Sequence, residues 1–149
     1  MSEDWIWSAG KKIPSDTDEA RKVLDEMLVK LAEHGWGEED TFGVHLAVEE
    51  ALMNAIKHGN QLDPSKSVVV DYRLNRTDLE IVVEDEGSGF DPDAVPDPTL
   101  EENLELPSGR GLMLMRTFMG KVDYNEKGNR VAMAKVKGAP LSTGDDDDD

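Results

Sequence analysis

Between His58 and Ser67 the hydrophobic period of this 149-residue chain changes from that of a helix to that of a strand, and this change restricts the fold more than its composition does. Before it, Ala20, Val23, Leu24, Met27, Leu28 and Leu31 recur at three- and four-residue steps, the spacing that lines one side of a helix. Phe42, Leu46, Ala47, Ala51, Leu52, Ala55 and Ile56 predict a second helix over residues 40–58, stopped by Gly59. After it, residues 67–74 and 78–84 are rich in β-branched side chains. The polar connection Asn75-Arg76-Thr77 joins them, which predicts a hairpin.

The remaining segments complete an alternation. Residues 5–13 predict a first strand, and Ser15, with Asp18 three residues on, predicts the N-cap of the first helix, which ends near Gly35. Residues 91–107 hold four prolines and many acids without a period, so they predict a loop. A loop of that length is uncommon unless it is functional. A short apolar helix over 112–119 precedes two strands, 121–125 and 130–137, turned at Lys127-Gly128-Asn129. Strand, two helices, two strands, loop, helix, two strands is the order of an α+β fold, a two-layer sandwich with helices on one face of a sheet. The length suits one domain, residues 1–140, and residues 141–149 predict a disordered acidic tail.

Charge decides which partners are plausible. The formal net charge of −17 repels a nucleic-acid backbone and an anionic membrane, so neither is expected as a partner. No apolar run approaches the roughly 20 residues that span a bilayer. The start of the chain lacks the basic and apolar regions of a secretory signal and there is no cysteine, which reads as cytoplasmic. The same charge repels a polyphosphate, so a nucleotide site here would depend on Mg²⁺ and local backbone N–H groups. Screening beyond about 8 Å lets a local motif outweigh the global field.

Three segments carry groups suited to chemistry. Glu50 and Asn54 lie four apart on one face of the second helix, where a carboxylate could serve as base and a carboxamide oxygen could ligate Mg²⁺. Taken alone, the pair is described at least as well by an acid and an amide satisfied by solvent. Asp85-Glu86-Gly87-Ser88-Gly89-Phe90 ends a strand with an acid and two alternate glycines. Such an acid can accept a hydrogen bond from an exocyclic amine, or it is simply an acidic turn. Gly109-Arg110-Gly111-Leu112 opens a helix whose unpaired N–H groups suit a phosphate, although a hinge before a packing helix looks the same.

In this order and spacing the three segments resemble the GHKL, or Bergerat-fold, ATPases: Glu50-x-x-x-Asn54 their N box, Asp85-x-Gly87-x-Gly89 and Gly109-x-Gly111-Leu112 their glycine boxes. Residues 91–107 would then be the ATP lid. The form Glu50-Ala51-x-x-Asn54-Ala55-x-x-His58-Gly59, and Leu112-x-Leu114-Met115-Arg116 followed by Phe118-Met119, are most similar to anti-sigma factor serine-protein kinases. That resemblance implies a mixed, mostly antiparallel sheet, with ATP and Mg²⁺ as cofactors. It implies Glu50 as catalytic base, Asn54 as Mg²⁺ ligand and Asp85 as the adenine contact. Gly87, Gly89, Gly109 and Gly111 would shape a pocket that Phe90 and Leu112 flank. Lys57 and Arg110 are assigned to phosphate on charge and position alone, and His58 to a structural helix end.

The implied activity is transfer of phosphate to a serine or threonine of an anti-sigma factor antagonist, alternating with capture of a sigma factor. A nucleotide-gated binding module and a simple ATPase are the rival readings. Trp5, Ile6 and Trp7 form an apolar edge that would serve a homodimer, or else pack into the core.

Overall fold

The computed structural model describes residues 5–87 and 109–138. Gly89 and Phe90, the lid assigned to 91–107 and the tail assigned to 141–149 therefore lie outside the described residues.

Strand β1 (Trp7–Pro14) leads into helices α1 (Thr17–Glu33) and α2 (Glu38–Met53), and α2 runs on into one π-helical turn, Asn54–Gly59. Strands β2 (Ser67–Leu74) and β3 (Asp78–Glu84) follow, then α3 (Gly109–Met119), β4 (Lys121–Tyr124) and β5 (Arg130–Val136). The sheet order is β1-β2-β3-β5-β4. All four pairings are antiparallel, so the expected mixed sheet contains no parallel pair among the described residues.

Register explains the single core. Ile13 opposes Val68, Val70 opposes Val83, and Ile81 opposes Met133, so alternate residues of each strand reach one face. There they meet the buried row Ala20, Val23, Leu24, Met27 and Leu31 of α1, and Val44, Ala47, Val48, Ala51 and Leu52 of α2. Lys135 occupies an inward position of the same face, its side chain 4% exposed. Its ammonium donates to the carbonyl of Phe118 at 2.7 Å and lies 3.8 Å from Asp40. That arrangement binds the end of α3 and the start of α2 to β5. No described helix is long and apolar enough to cross a membrane.

Two local expectations are corrected, the cap of α1 and the place of Phe42. Asp16, not Ser15, caps α1: its carboxylate accepts the N–H of Asp18 at 2.7 Å and of Glu19 at 3.4 Å. Ser15 is buried and its hydroxyl donates instead to Lys66 O at 2.8 Å. Phe42 lies outside the buried arc of α2, 61% exposed and edge-on to Phe118, because α2 packs against both α1 and α3. Trp7 donates to Tyr72 at 3.3 Å beneath Lys30, and Trp5 lies under Arg73, so the amino-terminal aromatics pack against their own sheet and α1.

Candidate functional site

The end of α2 changes hydrogen-bond pattern where the N-box residues lie. Asn54–Gly59 is π-helical, and Asn60 N–H closes the turn on Ala55 O at 2.8 Å. A π-turn rotates each residue less than an α-turn does, so His58 falls back into line with Glu50 and Asn54 instead of being carried past them. These three line a cavity of about 430 Å³ together with Lys57, Glu49 and, from α1, Arg21. The structure thus unites Glu50, Asn54 and Lys57. It adds His58, which the sequence reading assigns to a structural helix end, and Arg21, which no motif indicates.

The second cluster forms where β3 ends. Asp85 Oδ1 accepts the N–H of Gly87 at 2.8 Å, and the carboxyl group lies directly against the α-carbon of Gly59. A β-carbon on Gly59 would fall 2.3 Å from that carboxyl, and one on Gly87 would fall 2.0 Å from the carbonyl of Gly59. Gly87 therefore demands glycine because it touches the backbone of Gly59, and a side chain on Gly59 would displace the Asp85 carboxyl. Burial holds the Asp85 carboxyl above the usual carboxylate range, and the Gly87 N–H and nearby lysines only partly offset this.

Tyr124 feels the charge of both clusters. It sits on the inner face of β4 opposite Val131, where burial and the carboxylates of Glu50 and Asp85 push its hydroxyl up against the opposing pull of Arg116. Its ring thus stands within electrostatic reach of both acids. A lone aromatic at an alternating strand position gives no sequence signal for this. Gly109 and Arg110 lie in the first turn of α3, which begins three residues before the expected 112 and packs against α2. Gly111 and Leu112 belong to the same helix.

The other two histidines have partners. His34 Nδ1 lies 2.8 Å from Lys30 O, and His45 lies 3.8 Å from Glu49.

The arrangement offers oxygen ligands and a carboxylate at one end, and a half-buried acceptor for an amine at the other. Among the described residues no three His, Cys, Asp or Glu groups converge as a metal site. Mg²⁺ suits a donor set this sparse, since it is usually held by one or two protein oxygens and completes its shell with water and phosphate.

Comparison with known proteins identifies the family. The model of the histidine kinase-like ATPase domain matches residues 13–135. The chain is 35% identical over 102 residues to the anti-sigma F factor of Clostridium perfringens, covering 65% of this chain and 73% of that one. It is 33% identical over 110 residues to the serine-protein kinase RsbW of Bacillus subtilis, covering 68% of each. To the serine/threonine-protein kinase BtrW of Bordetella bronchiseptica it is 29% identical over 94 residues, covering 62% and 66%. A crystal structure of the RsbU and RsbW domains of a Mycobacterium tuberculosis protein shares the fold, with a TM-score of 0.61 at 19% identity. That likeness covers 92% of this chain and 35% of the other. The chain belongs to the histidine kinase-like ATPase family, among its anti-sigma factors and serine-protein kinases.

Proposed function

We propose that this chain is a cytoplasmic, Mg-ATP-dependent protein serine/threonine kinase of the anti-sigma type. On this reading it phosphorylates an anti-sigma factor antagonist and, in its other state, holds a sigma factor. The observation that carries the reading is the shared cavity of Glu50, Asn54 and Lys57, joined through the Gly59–Gly87 contact to the half-buried Asp85. The relatives' names support the kinase activity and the two classes of partner.

Asp85 would accept a hydrogen bond from the adenine amine, Lys57 and the N–H groups of the first turn of α3 would meet the phosphates, with Arg110 assigned there on charge and position alone, and Asn54 would hold Mg²⁺. When bound, the metal offsets phosphate charge. The substrate hydroxyl oxygen attacks the γ-phosphorus and its proton passes to Glu50. The bond from that phosphorus to the β,γ-bridging oxygen breaks and ADP leaves.

Incubation with ATP labelled in the γ-phosphate and a candidate antagonist tests the activity. Label on the antagonist is the expected result. ADP without phosphoprotein would mean an ATPase, and an ATP-dependent complex without label would mean a binding module.

Asp85→Asn is expected to weaken ATP binding by about 1–3 kcal/mol, or roughly 5- to 150-fold, because a pure acceptor becomes a mixed donor and acceptor. The wild type adds a pH signature. The adenine amine needs the ionised carboxylate, and burial raises the pH at which that carboxylate takes up a proton. Wild-type affinity should therefore fall as pH drops through this raised value, and the Asp85→Asn profile should be flat there. Calorimetry across the acidic range checks both points, and equal affinities would remove Asp85 from the site.

A further inference from the structure

Asn60 follows the π-turn, is fully buried, and has no part in the chemistry above. Its side chain binds three segments. Nδ2 donates to Ser15 Oγ and to Ser67 O, each at 3.0 Å, and Oδ1 accepts the N–H of Glu86 at 2.8 Å. Both amide hydrogens and the carbonyl are thus engaged.

The third contact bears on the site. The N–H of Glu86 and the carbonyl of Asp85 belong to one planar peptide group. Asn60 grips that plane by its N–H, and Asn129 Nδ2 grips it by its carbonyl at 3.0 Å. With the plane held from both sides, the direction in which the Asp85 side chain leaves the backbone is set. Glu86 adds a further tie, its carboxylate accepting the N–H of Ser67.

The backbone after Asn60 shows how firmly the segment is held. Gln61 and Leu62 adopt φ of +53° and +59°, a left-handed conformation that side chains other than glycine take only when their surroundings impose it.

We propose that Asn60 is a positioning residue for base specificity: by holding the 85–86 peptide it keeps the Asp85 carboxylate directed at the purine 6-amino group. This rests on the assignment of Asp85 to the base made above.

Inosine triphosphate is the probe, since it keeps the phosphates and replaces the amine by a carbonyl that a carboxylate repels. In the full chain, Asn60→Ala is expected to lower the ratio of ATP to ITP affinity about ten-fold while ITP affinity stays within about two-fold of wild type. Asn60→Asp retains an oxygen for the Glu86 N–H and should keep most of the ratio even where its melting temperature is lower. Ser15→Ala releases one of the two amide anchors. It should reduce the ratio roughly two- to three-fold, and it carries the test if Asn60→Ala does not fold.

A purely structural Asn60 would weaken both nucleotides by the same factor or leave the ratio unchanged, and either result in the variants that fold overturns the proposal. Asp85→Asn, measured alongside, separates the two levels. If it abolishes the ratio while the Asn60 and Ser15 variants keep it, only the positioning role fails. If it too keeps the ratio, the assignment of the base contact fails and the positioning role with it.

Discussion

Glu50→Gln should bind Mg-ATP within a few-fold of wild type yet transfer phosphate at least about 100-fold more slowly, since a positioned general base typically contributes about 10²–10⁴-fold. Phosphoryl transfer asks a protein mainly for positioning and charge stabilisation, and the carboxylate orients and deprotonates the attacking hydroxyl. Glutamine preserves shape and loses the base. On the proposed role Glu50 would meet bound nucleotide only through water or metal, so ground-state affinity should be nearly unchanged. Single-turnover transfer to the antagonist, measured beside equilibrium ATP binding, separates the two effects. Transfer at the wild-type rate would shift the role to Glu49, which lines the same cavity about 100° round the helix. Glu49 already lies 3.8 Å from His45, a contact that would compete with its use as a base.

Asp40→Ala is expected to destabilise the fold by about 3 kcal/mol, because it leaves the buried ammonium of Lys135 with the Phe118 carbonyl as its described partner. For a chain of this size that is roughly 6–12 °C in melting temperature. Asp40 also accepts the N–H of Gly138 at 3.0 Å, so a small part of the loss belongs to that contact. Lys135→Met should cost much less, since it removes the charge that needs a partner and keeps most of the volume. Thermal melts of both variants decide the matter. If Asp40→Ala melts with the wild type, the ammonium is compensated by another route and the ion pair is incidental.

The sequence speaks clearly where one face of one element does the burying. Five of the six apolar positions that mark α1 are buried, because they form one stripe turned into the core. Asn75-Arg76-Thr77 turns as expected, with Asn75 Oδ1 accepting the N–H groups of Thr77 and Asp78 at 2.8 and 2.7 Å. The stripe read for α2 is incomplete, because the helix is covered on two sides: Ala47, Ala51, Leu52, Ala55 and Ile56 are buried as expected, but so are Val44 and Val48, while Phe42 faces outward. Lys135 stands at an inward strand position, but its charge hides it from any hydrophobic pattern.

The motifs locate the site without supplying its geometry. The spacing Glu50-x-x-x-Asn54 assumes an α-helix, whereas the π-turn that realigns His58 leaves no mark in local propensity. Ser15 and Asp16 are both good capping residues. Which of them caps α1 is decided by Lys66 and Asn60, partners 51 and 45 residues away.

Those separations bear on how the molecule opens. Asp85 is held by Asn129 across 44 residues, Asn60 reaches Ser15 across 45, and Gly59 touches Gly87. Neither the α1–α2 pair nor the β2–β3 hairpin contains the cavity and the adenine contact together. A site assembled only at the joins between distant segments has no partly folded version. Loosening any one join dissolves it, so the site cannot belong to a small, independently opening unit of the chain. The free energy of nucleotide binding is then delivered to the global unfolding equilibrium, and ATP stabilises the whole domain rather than the loops that touch it.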